Sequence, residues 1–340
     1  MREVNLDMIR KFPWNLRYAK EQSYEMCIEA VKQDGFLLKD VRFNELSLTK
    51  EQVYNLYLIA VRRSGEALQF IKWDEINLTK EQIYNLCIEA VKRNGYALKY
   101  VREQTEEICI EAVKQNGFAL KYVEEQTEKI CIEAIKQNSS ALCHVENQTE
   151  EMCLIAIKKC PWEFSSVKEQ TEAICLEVVR KRGLSLEFVK KQTEKLCKEA
   201  VKENGLALQY VKKQTTEICI EAVMENGLAL KFVDWDRFSK EQIDKICREA
   251  LKQDKLAIIY IKDKEKYLKE FGIKYLEAQG DARDVIAIKE NGEWLFTLGC
   301  QYKITKEEFI YRIYNTGGGF NLEKGINIHR QVYLDFLKGF

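Results

Sequence analysis

One phrase recurs along this chain and limits what the chain can fold into. Residues 104–123 read QTEEICIEAVKQNGFALKYV, and close variants return as QTEKICIEAIKQNSSALCHV, QTEEMCLIAIKKCPWEFSSV, QTEAICLEVVRKRGLSLEFV, QTEKLCKEAVKENGLALQYV and QTTEICIEAVMENGLALKFV. A unit this short cannot enclose a core by itself, so successive units must stack to cover one another's apolar faces. The cysteine marking the phase falls at Cys87, Cys109, Cys131, Cys153, Cys175, Cys197 and Cys219, always 22 residues apart. The interval widens to 30 residues from Cys27 to Tyr57 and from Tyr57 to Cys87, and to 28 from Cys219 to Cys247. The added segments FNELSLTK, WDEINLTK and DWDRFSK fall between units, where a longer loop costs little entropy. These marks give ten units, and FPWNLRYA near the N-terminus reads as the tail of a degenerate eleventh.

Each unit reads as a long helix followed by a shorter one. At 100° per residue from Ile108, the residues Cys109, Ile110, Ala112 and Val113 share a wide apolar arc, and Glu111, Lys114 and Gln115 take the remainder. An arc that wide suits a helix packed on both sides. The shorter helix carries Ala119, Leu120, Tyr122 and Val123. The joint is usually Asn-Gly, as at Asn94-Gly95, Asn116-Gly117 and Asn204-Gly205, but Pro13 and Pro161 take the glycine phase in two units. Proline cannot adopt positive φ, so this phase reads as the first residue of the short helix, with the preceding Asn, Asp or Ser as its cap. In the widened units Thr49-x-x-Gln52, Thr79-x-x-Gln82 and Ser239-x-x-Gln242 have capping-box spacing, which starts the long helix one turn earlier.

A glutamine stands five residues before every phase mark: Gln22, Gln52, Gln82, Gln104, Gln126, Gln148, Gln170, Gln192, Gln214 and Gln242. A polar residue so constant implies one repeated local demand. The expectation is a structural ladder in which each amide satisfies backbone groups at a helix start or in the neighbouring unit, with a binding ladder as the sharper alternative.

The fold class that follows is mostly α: an α-solenoid of about ten to eleven helix-pair repeats over residues 1–268, with a small α+β module over residues 269–340. Two prolines in 340 residues agree with a helical chain. In the C-terminal part, DVIAIKENGEWLFTLG reads as two strands joined through Asn291-Gly292. Thr305-x-x-Glu308 precedes one helix, Gly317-Gly318-Gly319 follows it, and HRQVYLDFL forms another. Such a module would cap the open end of a stack.

Charge is balanced overall, with 54 Lys+Arg against 54 Asp+Glu, so nothing in the total favours nucleic acid or an anionic membrane. No apolar run approaches twenty residues, and the opening MREVNLDMIRK lacks the apolar core of a secretory signal. The expectation is a cytoplasmic protein without a membrane partner. Locally the charge is uneven. Residues 103–151 hold eleven glutamates and four lysines, and residues 176–213 hold ten Lys/Arg and five glutamates. An extended surface so polarised suits a protein partner of matching pattern. The candidate binding residues are Glu103, Glu124 and Glu125 on the acidic stretch and Arg180, Lys181, Arg182, Lys190, Lys191, Lys212 and Lys213 on the basic one. The latter set also raises nucleic acid as an alternative partner.

Stacked helices lie too far apart for equivalent cysteines to bridge, so the phase cysteines should stay reduced and act as small apolar fillers. With no C-x-x-C pair and only His144 and His329, neither a metal nor a cofactor is expected. The enzymatic alternative rests on Cys300 after a glycine, His329, and Tyr333 one turn on, a thiol and imidazole able to make a nucleophile. No orienting Asn or Asp and no oxyanion hole can be read beside them, and the main expectation is a binding scaffold, not an enzyme.

At the string EICIEAVKQNGFALKYV the chain resembles a family of short helical repeats of unassigned function found in bacterial and viral proteins. The likeness covers about residues 14–261. It implies a solenoid and brings no activity. The viral distribution implied by it makes conflict with a host or rival defence system the setting to consider.

Overall fold

The computed structural model describes residues 3–74, 77–279, 282–299, 301–315 and 328–340, without the side chains of residues 315, 328 and 329. The chain divides into two compact units, Met1–Val178 and Val179–Phe340, and each is taken by itself.

In the first unit a 22-residue repeat forms an α-helix of ten residues and a 3-10 helix of six, as in Glu106–Gln115 with Gly117–Tyr122 and Glu128–Gln137 with Ser139–His144. Thr105 caps the first of these, its hydroxyl accepting the Ile108 N–H at 3.3 Å. The helix stops at Asn116, whose extended backbone turns the chain while its side chain accepts the Phe118 N–H at 3.0 Å. One asparagine thus ends one helix and caps the next. Asp34, Asn94 and Asn138 do the same. The short element takes the tighter 3-10 form because six residues leave few i→i−4 bonds to make. The glycine after the cap is the first residue of the 3-10 helix. It is required by close approach: a Cβ on Gly95 would lie 2.4 Å from the carbonyl oxygen of Ala112 in the next repeat.

Ile108, Cys109, Ile110, Ala112 and Val113 are buried on the long helix, and Ala119, Leu120 and Val123 on and after the short one. The core therefore lies between a layer of α-helices and a layer of 3-10 helices, each contacting its neighbours in sequence. A short helix, Leu6–Lys11, precedes Pro13–Tyr18 and completes the degenerate N-terminal repeat. In the widened repeats the helices Lys50–Arg63 and Lys80–Arg93 have fourteen residues and complete capping boxes. The extra turns carry their own links, with Asn55 Nδ2 donating to the Tyr24 hydroxyl (3.0 Å) and Asn85 Nδ2 to that of Tyr54 (2.6 Å).

The second unit continues the pattern through Glu194–Glu203, Thr216–Glu225 and Lys240–Gln253, the last with the third capping box. The helix Glu265–Phe271 follows, and its buried Tyr267 donates to Asp244 Oδ1 at 2.9 Å, joining Lys266 Nζ (2.7 Å) and Arg248 Nε (2.8 Å) on that carboxylate. From here the α+β part begins. Four strands, β1 (Ile273–Leu276), β2 (Val285–Glu290), β3 (Glu293–Leu298) and β4 (Gln301–Ile304), form an antiparallel meander in sequence order. The β2–β3 turn has positive φ at Asn291 (49°) and Gly292 (91°), the geometry of a two-residue hairpin. The sequence points to this hairpin alone, and the short flanking strands β1 and β4 are added by the structure. One face of the sheet packs on the helices Lys306–Asn315 and Ile328–Leu337 through Phe296, Phe309, Ile313 and Leu337. Among the described residues no helix is long and apolar enough to cross a membrane.

Candidate functional site

The recurring glutamine has two jobs, not one. In the 22-residue repeats it lies just before the helix and staples the ends of two successive 3-10 helices. Gln148 Nε2 donates to the carbonyls of Leu142 (3.0 Å) and Ser166 (2.9 Å), and its Oε1 accepts the Lys168 N–H (2.9 Å). Gln126 repeats this with Leu120, His144 and Glu146, Gln192 with Leu186, Tyr210 and Lys212, and Gln214 with Leu208, Phe232 and Asp234. Gln104 holds Tyr122 and Glu124. The phase thiol points at the same oxygen, as Cys109 Sγ does toward Gln104 Oε1 at 3.5 Å. Gln170 lies at the equivalent place before its helix, part-buried. Gln52, Gln82 and Gln242 instead serve as the third helical residue of the capping boxes, because the inserted loop moves the helix start upstream. The expectation of one shared demand is corrected accordingly. In the Gln52 repeat the vacated role passes to Tyr57, whose hydroxyl accepts the Lys72 N–H at 3.4 Å.

With these amides turned inward on backbone groups, the outward chemistry falls to the 3-10 helices. In most of the six-residue 3-10 helices the first, third and fourth residues are buried and the second, fifth and sixth face out, Lys255–Tyr260 with its buried Leu256 being an exception. In the first unit these outward positions hold rings that pair from one repeat to the next: Phe36 with Phe70 (centroids 6.0 Å), Tyr96 with Tyr122 (5.9 Å) and Phe118 with His144 (5.7 Å). Lys121 Nζ sits 5.0 Å from the Tyr96 ring and 4.7 Å from that of Tyr122. Trp14 (55% exposed), Tyr18 (67%) and Trp162 (65%) extend the row, and in the second unit Phe188 (56%) holds an equivalent position. The signal is the recurring aromatic residue around A-L-K-Y; the sequence places Tyr122 on the short helix with Ala119, Leu120 and Val123 and does not separate its outward from its inward positions.

The charged candidates lie elsewhere. Glu103, Glu124 and Glu125 are exposed at the inter-repeat loops of the first unit, beside the N-terminal ends of the long helices. An open groove nearby is lined by Glu106, Glu128, Glu133 and Glu151 with Lys129 and Lys136, and Lys129 pairs with Glu106 at 2.7 Å. The basic stretch falls into two groups. Lys190, Lys191, Lys212 and Lys213 occupy loops before helix starts, whereas Arg180, Lys181 and Arg182 stand at or just past the C-terminal end of Glu172–Lys181. A ten-residue helix separates its two ends by about 15 Å. Arg180 is bound to Glu199 at 2.6 Å, which draws the Glu199 pKa below its ordinary value, and Lys212 Nζ donates to the Lys190 carbonyl at 3.3 Å.

The phase cysteines are buried and free, and burial pushes their thiols up, to about 12 for Cys27, Cys87 and Cys219 and about 11 for Cys109, Cys131 and Cys247. Of the enzymatic candidates, Cys300 and the His329 side chain lie outside the described residues. Tyr333 holds the fold: its hydroxyl accepts the Arg283 N–H at 2.8 Å and its ring meets Phe309 edge-on.

A family described as a domain of unknown function (DUF4116) matches residues 83–127, 105–150 and 193–239. The three matches fall on the 22-residue repeats, so these stretches are repeats of the short helical type that the sequence resembles. No curated protein and no solved structure matches the chain.

Proposed function

We propose that this chain is a protein-binding array that holds its partner through the ring-bearing face of the 3-10 helices and acts as a scaffold, adaptor or inhibitor. The observation that carries this reading is the exposure of large rings at repeated positions, with Trp14, Tyr18 and Trp162 more than half exposed beside a continuous core. Tryptophan and tyrosine supply much contact area at small entropic cost and are enriched where proteins bind one another. The acidic loops at Glu103, Glu124 and Glu125 and the basic loops at Lys191 and Lys213 support electrostatic selection during encounter. The buried, protonated thiols suit the reducing cytoplasm.

The test is capture of a partner by the tagged chain over a salt series, comparing the native sequence with a Trp14→Ala, Phe36→Ala, Trp162→Ala variant whose circular dichroism is unchanged. Loss of at least tenfold in affinity supports the reading. Retention of the same proteins with the same affinity rejects it. A steep salt slope with oligonucleotides, lost on replacing Lys191 and Lys213, would put nucleic acid in its place.

A further inference from the structure

Along the ring row of the first unit, Trp14 faces Asp40 and Glu66 faces Tyr100 in register, so one ring of the pair is missing there, but at one joint both rings are missing. Tyr96 pairs with Tyr122 and Phe118 with His144, each being the second residue of one 3-10 helix and the sixth of the next. By that register the following pair is Ser140 and Ser166, so both rings are replaced by hydroxymethyl groups. In the same place Glu163 takes the third position of its 3-10 helix, where Ala97, Ala119 and Ala141 stand in the preceding repeats. Glu163 is only 9% exposed. Its Oε1 accepts the hydroxyls of Ser140 (2.7 Å) and Ser139 (3.4 Å), and Ser139 itself replaces the usual glycine. Two departures from the repeat, Ser139 and Ser140, therefore serve the carboxylate that a third, Glu163, introduces.

Among the described residues no Lys, Arg or His forms an ion pair with Glu163, and neither serine bonds its second oxygen. Neutral hydroxyls leave the carboxylate without a counter-charge, which a cation arriving from outside supplies. Trp162 stands next to it in sequence with its ring 65% exposed, on one flank of the gap, and the Phe118–His144 pair stands on the other. A planar guanidinium is the group that both stacks on an indole and forks onto a carboxylate.

We propose that the gap at Ser140, Glu163 and Ser166 is a receptor for an arginine side chain of the protein partner, with Glu163 as counter-ion and Trp162 as the stacking surface. This rests on the ring-bearing face being the partner surface, and names the chemistry that one point on that face selects.

The probe is N-acetyl-arginine amide, titrated into the full chain while the indole N–H of Trp162 is followed by NMR, with Trp162→Phe used to assign the signal. A saturable shift is expected, weakened at least tenfold by Glu163→Ala and absent with the neutral citrulline analogue. Glu163→Ala restores the residue of the other repeats, so its melting temperature should not fall. No saturation, an equal response to citrulline, or an unchanged response in Glu163→Ala would each overturn the receptor, and tighter binding of N-acetyl-lysine amide would overturn its assignment to arginine. Partner capture separates the two readings. Binding lost in the ring variant but kept in Glu163→Ala removes the receptor and leaves the face, whereas arginine binding with partner capture indifferent to the rings removes the face.

Discussion

The carbonyl oxygen of Ala134 occupies the space that a side chain on Gly117 would need, 2.6 Å from the position of a Cβ. That pair sets how closely one repeat follows another. Gly117→Ala should force the repeats apart and cost about 1–3 kcal/mol, the usual price of overpacking a fitted contact. Urea unfolding measures it, and an unchanged midpoint would show that the stack yields freely at this point.

The two uses of glutamine predict unequal costs. Gln148→Ala leaves the Ser166 carbonyl and the Lys168 N–H without this partner and the Leu142 carbonyl with only the Val145 N–H, for a loss of about 2–3 kcal/mol. Gln82→Ala removes only the return half of a capping box, Thr79 N–H to Oε1 at 3.0 Å, at an exposed helix start, for about 0.5–1 kcal/mol. Denaturation of the two variants side by side checks the ranking.

Alkaline pH should destabilise the array. The thiols of Cys87 and Cys219 ionise near 12 when folded, against about 8.5 in an unfolded chain. A raised folded value gives stability that is whole below pH 8.5 or so and is lost as pH rises toward 12, because only the unfolded chain gives up its protons there. Melting temperature recorded from pH 7 to 11 should fall, and fall less in Cys87→Ala. In the native state at pH 8 a thiol reagent should label exposed Cys143 before Cys87 or Cys219.

At low pH the sensitive point is Asp244. The ammonium of Lys266, followed by Arg248, holds its carboxyl well below the usual carboxylate range. A depressed folded value gives stability that is present above about pH 4, the unfolded value, and is lost as pH falls below it. Asp244→Asn should melt lower at pH 7 and show a flatter dependence between pH 4 and 2, followed by circular dichroism.

The helix-pair repeat is legible in the sequence because its causes are local. Thr105, Asn116 and the apolar arc from Ile108 to Val113 each act within a few residues, and Pro161 in the glycine phase already shows that the phase needs no positive φ. The 3-10 geometry is less legible, since six residues with one apolar face fit either helix type. Strands β1 and β4, four residues each, carry too little alternation to be read. The division of labour among the glutamines escapes a reading by phase, because it depends on where the helix begins and not on distance from Cys109 or Cys247. The ring row escapes for a different reason: Tyr96 and Tyr122 are 26 residues apart, and only the stacking brings them together.

The capping boxes at Thr49, Thr79 and Ser239 make three seams in the chain. At an ordinary joint a repeat borrows its amide donor across the boundary, so a cut there strands carbonyls on both sides. At a seam the helix satisfies its own first turn. Shuffled, shortened or extended arrays should therefore keep their solubility when joined at these three places and lose it when joined at Gln126 or Gln192, which makes the widened repeats the natural points of exchange for evolution and for protein engineering alike.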